Sequence, residues 1–192
     1  MSNNNLIRWS GLAVILVGLL VPAIWLVELF TGSATVATRT VGFIADILLV
    51  FGLMGIYGTQ IKESGVSGFL GFLLTTVSNC INMGQTWLPQ SGQLVGVAGV
   101  LGPLIGITAT PGYILLGIGS WKAGKLPRWT AALWAIGYSL TFISMLIFIT
   151  GIAVAEYFVA LGIVIWGIGL IGAGVSLMSV TVESAKEPIA AT

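Results

Sequence analysis

Apolar residues in this chain run in long blocks rather than alternating with polar ones. Six blocks stand out: Leu6–Phe30, Val41–Gln60, Ser67–Leu88, Leu94–Trp121, Trp129–Gly151 and Tyr157–Val180. Each approaches or exceeds the roughly 20 residues a helix needs to cross about 30 Å of hydrocarbon. Polar and turn-forming runs divide them, among them Thr31-Gly32-Ser33, Lys62-Glu63-Ser64-Gly65, Pro89-Gln90-Ser91-Gly92 and the stretch from Lys122 to Pro127. A membrane barrel would alternate apolar and polar positions over about ten residues, and a run such as Leu12–Leu20 does not. In lipid the backbone must satisfy its own hydrogen bonds, which leaves helices.

The pattern therefore predicts an all-α fold, a polytopic transmembrane helical bundle of six spans. The weakest division lies at Gly151–Glu156, so five spans with one long bent helix is the alternative. Residues 1–182 form one bundle domain on this reading, and 183–192 a short polar tail. The first block is too long for a signal sequence and lacks a small-x-small cleavage site, which makes it a retained helix.

Composition agrees with the pattern. Hydrophobic residues make up 57% of the chain and charged residues 7%, and mean hydropathy is +1.07. A soluble domain is about one quarter charged, because water-facing surface needs polar cover. Charge also orients the bundle. Six spans put Arg8, Lys62, Lys122, Lys125, Arg128 and Lys186 on one side and only Arg39 on the other. Basic residues stay on the cytoplasmic side, so both termini are expected there. Trp9, Trp121 and Trp129 then fall at cytoplasmic ends and Trp25 and Trp87 near outer ends, as an aromatic belt would.

Several chemistries lack their residues. The chain has no histidine, the usual haem and transition-metal ligand and proton shuttle. Cys80 is the single cysteine, which leaves no internal disulfide and no thiolate metal site. No GxxxxGKS/T phosphate-binding loop is present. The net charge of +1 and the absence of a long basic cluster give nucleic acid no footprint. The expectation is a non-enzymatic protein with no cofactor, no metal and no nucleic-acid partner, in contact with membrane lipids. Anionic headgroups are a secondary partner for the loop from Lys122 to Arg128.

The 27 glycines are placed with a period. In the sixth span Gly162, Gly169, Ala173 and Ser176 share a face; in the fourth, Gly92, Gly96, Gly99, Gly102 and Gly106 recur every three or four residues. Small faces let membrane helices approach closely. They serve packing within the chain, or a homo-oligomer or membrane-protein partner through spans four and six. Pro103 and Pro111 lie inside the fourth span, and each removes a backbone donor and favours a kink.

Candidate site residues come from depth. Asp46 stands fourteen positions before Gln60, and Asn82 fourteen after Gly68, so both lie about 21 Å from the cytoplasmic interface. Thr75, Asn79, Asn82 and Thr86 form one stripe on the third span, with Gln85 beside it, and Ser144 on the fifth reaches a similar level. Asp46, Asn79, Asn82, Gln85 and Ser144 are the expected polar cluster. An acid inside a membrane is costly unless paired, protonated or hydrated, which makes it a functional candidate. With the second span starting at Val41, however, Asp46 is only about 7 Å from the outer boundary, where Arg39 can neutralise it.

Three runs carry a resemblance: Arg8-Trp9-Ser10-Gly11, Gly52-Leu53-Met54-Gly55-Ile56-Tyr57, and Leu116 through Trp129 with its Lys122-Ala123-Gly124-Lys125 turn. In this layout the chain resembles small uncharacterised polytopic membrane proteins of bacteria. That resemblance implies a bacterial cytoplasmic (inner) membrane, and it brings no activity and no functional residues. Two roles follow from the residues. One is a non-catalytic structural or accessory component of a larger membrane complex. The alternative is a transporter or channel for a small neutral or weakly charged solute.

Overall fold

The computed structural model describes residues 3–86 and 95–184, with side chains from 5 to 86 and from 100 to 179. Six helices account for nearly all of them: α1 Asn3–Thr31, α2 Val36–Gly58, α3 Gly65–Thr86, α4 Val95–Ala123, α5 Arg128–Ile149 and α6 Ala155–Ser184. No strand occurs among the described residues. All six helices are long and apolar enough to cross a membrane. The chain is an all-helical integral membrane protein.

Two boundaries differ from expectation. The second helix begins at Val36, not Val41, because the polar residues before Val41 cap and continue it. The Thr35 hydroxyl accepts from the Thr38 N–H at 3.1 Å, and the Thr38 hydroxyl accepts from the Thr35 N–H at 2.9 Å. This reciprocal cap satisfies two donors that an open helix end would waste. Asp46 consequently lies about 15 Å inside α2 rather than near its rim. The five-span alternative is not realised: α5 stops at Ile149, and Gly151 takes φ +90°, a backbone other residues avoid, before α6 starts at Ala155. At the far end α6 runs to Ser184, into the expected tail, whose remaining residues lie outside those described. So do Trp87 and the expected turn at Pro89–Gly92. Both Pro103 and Pro111 fall within one continuous helix.

Each helix packs against its neighbours in sequence, and α1 also packs against α6, closing a ring. Contacting residues run in opposite order on neighbouring helices, so successive helices are antiparallel. Paired glycines make three of these seams tight. A Cβ on Gly18 would stand 2.7 Å from the Gly167 carbonyl oxygen, and one on Gly137 equally close to that of Gly162. Between α3 and α4, a Cβ on Gly119 would lie 2.5 Å from the Gly68 Cα. Backbones at such distances leave no room for a methyl group. These contacts join α1 to α6, α5 to α6, and α3 to α4. Gly162 and Gly169 both face α5, the latter with Trp134 and Leu133 against it, and Gly106 faces Phe142. The described part of both small faces is thus largely occupied within the chain; Gly92, Gly96 and Gly99 fall outside the residues described to side-chain level.

The remaining seams, α2 with α3, α4 with α5 and α1 with α2, rely more on side chains, the last with Gly52 and Gly55 set against Val14 and Ser10. Tyr57 stacks on Phe72 across the first at 4.8 Å between ring centroids. Leu53, Ile56, Leu116, Trp134 and Leu170 fill the ring's centre over one half of its height and are fully buried. That half ends at the turns carrying Lys62, Lys122, Lys125 and Arg128, near Arg8; we call it the basic end. At that end the buried Gln60 amide donates to the Ser120 hydroxyl at 2.7 Å. Apolar side chains such as Phe30, Ile107, Ile136 and Val175 project from the outside of the ring, where lipid replaces water.

Candidate functional site

Away from the basic end the core gives way to a cavity of about 480 Å³, lined by residues of all six helices. Its walls become more exposed outward. Thr75, Asn79 and Trp166 are buried, whereas Glu28, Arg39 and Gln85 at the mouth are half-buried and Met145 is exposed. The cavity therefore opens at the end opposite the basic turns and is closed below by apolar packing.

Helical periodicity decides which side chains reach it. On α2, Gly42, Asp46 and Leu49 follow spacings of four and three, and so share one face. On α3, Thr75, Asn79, Asn82 and Thr86 do the same, and all of these residues line the cavity. The Asn82 amide nitrogen donates to both Asp46 carboxylate oxygens, at 3.2 and 3.0 Å. One turn away, the Asn79 amide donates to the Asp46 backbone carbonyl at 2.6 Å. Gln85 lines the mouth beside them. Asp46, Asn79, Asn82 and Gln85 thus come together as the polar stripe implied.

Ser144 does not join them. It is buried on α5 but turned from the cavity, which α5 lines with Tyr138, Thr141, Phe142 and Met145. A step of one residue rotates a helix by roughly 100°, so a position at the right depth next to Met145 still points elsewhere. The alternative pairing, Arg39 with Asp46, is not observed either. Neither Asp46, Glu28 nor Arg39 makes an ion pair among the described residues, where the one such pair, Lys125 with Glu63 at 3.2 Å, lies at the basic end.

Sequence reasoning missed the aromatic floor. Tyr113 of α4 stacks on Tyr138 of α5 with centroids 4.6 Å apart, and Trp166 of α6 meets both edge-on at 5.7 and 6.3 Å. All three line the cavity. The Trp166 indole is buried among these rings beside Tyr113. A usable signal existed: Tyr113 stands ten residues before Ala123 and Tyr138 ten after Arg128, so both lie about 15 Å from the basic end. Trp25, read as an interfacial residue, also lines the cavity, as do Glu28 and Arg39.

Chemically, the arrangement offers one buried carboxylate, a set of amide and hydroxyl groups on one wall, and an aromatic surface opposite. No group of three or more His, Cys, Asp or Glu side chains occurs among the described residues. Comparison with known protein families, curated proteins and solved structures finds no match.

Proposed function

We propose that this protein binds a small solute in the ring's cavity and moves it across a bacterial cytoplasmic membrane, without catalysing a reaction. One observation carries the reading. All six helices contribute to a single cavity, open at one end and closed at the other, into which a buried carboxylate and several amides converge. A carboxylate held at such depth is costly and is retained where it serves a pathway or a ligand. Concave sites of this size with a few convergent polar groups are where small molecules bind.

The basic end faces the cytoplasm on the positive-inside rule, so the cavity faces outward. Release to the other side then requires the closed half to part. Of the three seams without paired glycines, α2 with α3 and α4 with α5 are the natural place for it, because Gly52 against Val14 and Gly55 against Ser10 tighten α1 with α2. Asp46 with Asn82 crosses one of them and Tyr113 with Tyr138 crosses the other, so a solute between these groups touches both sides of the α3–α4 pair. Small relative movements of rigid helix pairs are the usual form of alternating access.

Accessibility tests this reading. Gly42 lines the mouth, and a Cβ there would meet nothing within 4 Å. In a Cys80→Ala background, Gly42→Cys should react with a small membrane-impermeant thiol reagent added outside intact cells. Reaction only from the cytoplasmic side, or from neither side, overturns the outward-open cavity.

A further inference from the structure

We infer that the ligand of this cavity is a small organic cation of single charge, an amine or quaternary ammonium compound, held between the Asp46 carboxylate and the aromatic floor. The inference rests on the solute-binding reading above and names its substrate class.

Charge is the first reason. Of the side chains that line the cavity, Glu28 and Asp46 are acidic and Arg39 alone is basic, which leaves one negative charge in excess. Asp46 accepts from the neutral Asn82 amide and meets no cation among the described residues. A single amide nitrogen leaves most of the carboxylate's acceptor capacity open. Arg39 sits seven positions outward, about 10 Å along the helix, with Glu28 at the same mouth. A monovalent cation at Asp46 balances the lining.

Surface chemistry is the second. Asp46, Tyr113, Tyr138 and Trp166 line the same cavity, so a ligand in it can meet the carboxylate and the aromatic floor together. Faces of tyrosine and tryptophan attract cations, and cages of them recognise quaternary ammonium groups. A hard metal ion instead demands six or more oxygen ligands, and the floor supplies rings. The volume of about 480 Å³ leaves room for carbon substituents around the charge. An anion would have to sit against Asp46 with nothing but Arg39 to favour it.

Choline serves as the quaternary ammonium probe, and 3,3-dimethylbutanol as its uncharged carbon isostere. Calorimetry on the purified full chain in detergent should show choline binding at least tenfold tighter than the isostere. Choline should also slow thiol labelling of Gly42→Cys, and Asp46→Asn should weaken choline binding at least tenfold while leaving the isostere unchanged. Trp166→Phe, which keeps an aromatic ring in the floor but makes it smaller, should weaken choline several-fold with Asp46 intact. Equal binding of probe and isostere by the parent protein overturns the inference, whatever the variants do. Absence of choline binding while Gly42→Cys still labels from outside also overturns it, and leaves the open cavity standing. Loss of labelling together with loss of binding removes both.

Discussion

Asn82 donates one amide nitrogen to both oxygens of the Asp46 carboxylate, at 3.2 and 3.0 Å. With Asn79 on the Asp46 backbone carbonyl at 2.6 Å, α3 grips α2 at side chain and main chain one turn apart. This grip sets the register of a seam that has no paired glycines to set it.

Removing either asparagine should therefore loosen that seam. Asn79→Ala and Asn82→Ala should each lower stability by on the order of 1 kcal/mol, the scale of polar contacts between membrane helices. Because both act on Asp46, the double variant should depart from additivity. Unfolding in mixed detergent measures all three. Additive losses would show that the two amides act independently.

Glycine substitutions should separate close backbone approach from mere composition. A Cβ on Gly71 would press on the Leu116 backbone, whereas one on Gly84 meets nothing within 4 Å. Gly71→Ala should cost about 1–3 kcal/mol, the range for overpacking. Gly84→Ala should be neutral or stabilise by up to about 1 kcal/mol through helix propensity. Thermal unfolding of the pair in detergent decides the matter, and equal effects contradict the packing described for α3 and α4.

At the basic end, beside the apolar packing, Gln60 is fully buried and donates to Ser120. Ser120→Ala strands that amide, a loss of about 1–3 kcal/mol for an unsatisfied buried group. Labelling of Gly42→Cys from the cytoplasmic side should rise in the same variant if the contact holds the inner half shut. Unchanged stability and unchanged labelling would show that apolar packing alone closes it.

Orientation is tested by topology reporters. A reporter active only in the cytoplasm should give signal when fused after Thr192 and none when inserted after Gly32. The reverse pattern would place the cavity mouth in the cytoplasm.

Block length and scarcity of charge made the six helices legible, since a bilayer of fixed thickness admits few alternatives to an apolar run of some 20 residues. The boundary of α2 was less legible because Thr35 and Thr38 look like loop residues until their reciprocal hydrogen bonds are seen. That shift of five residues is what carries Asp46 from rim to interior. Its partner Asn82 was legible too, because depth along antiparallel neighbours follows from counting residues. Depth is only one coordinate of a helical position, and rotation is the other. Ser144 had the first and lacked the second, while Tyr113, Tyr138 and Trp166 had both and carried no charge to draw notice. By itself the sequence determined an integral membrane bundle of six helices and the matching depth of Asp46 and Asn82, properties of single helices in a layered solvent. Only the tertiary structure decided which helices touch, which glycines face one another, and that one half of the ring is packed while the other is hollow. Those outcomes depend on how helices rotate against each other, and within lipid the apolar faces of a helix differ too little for its own sequence to choose the rotation.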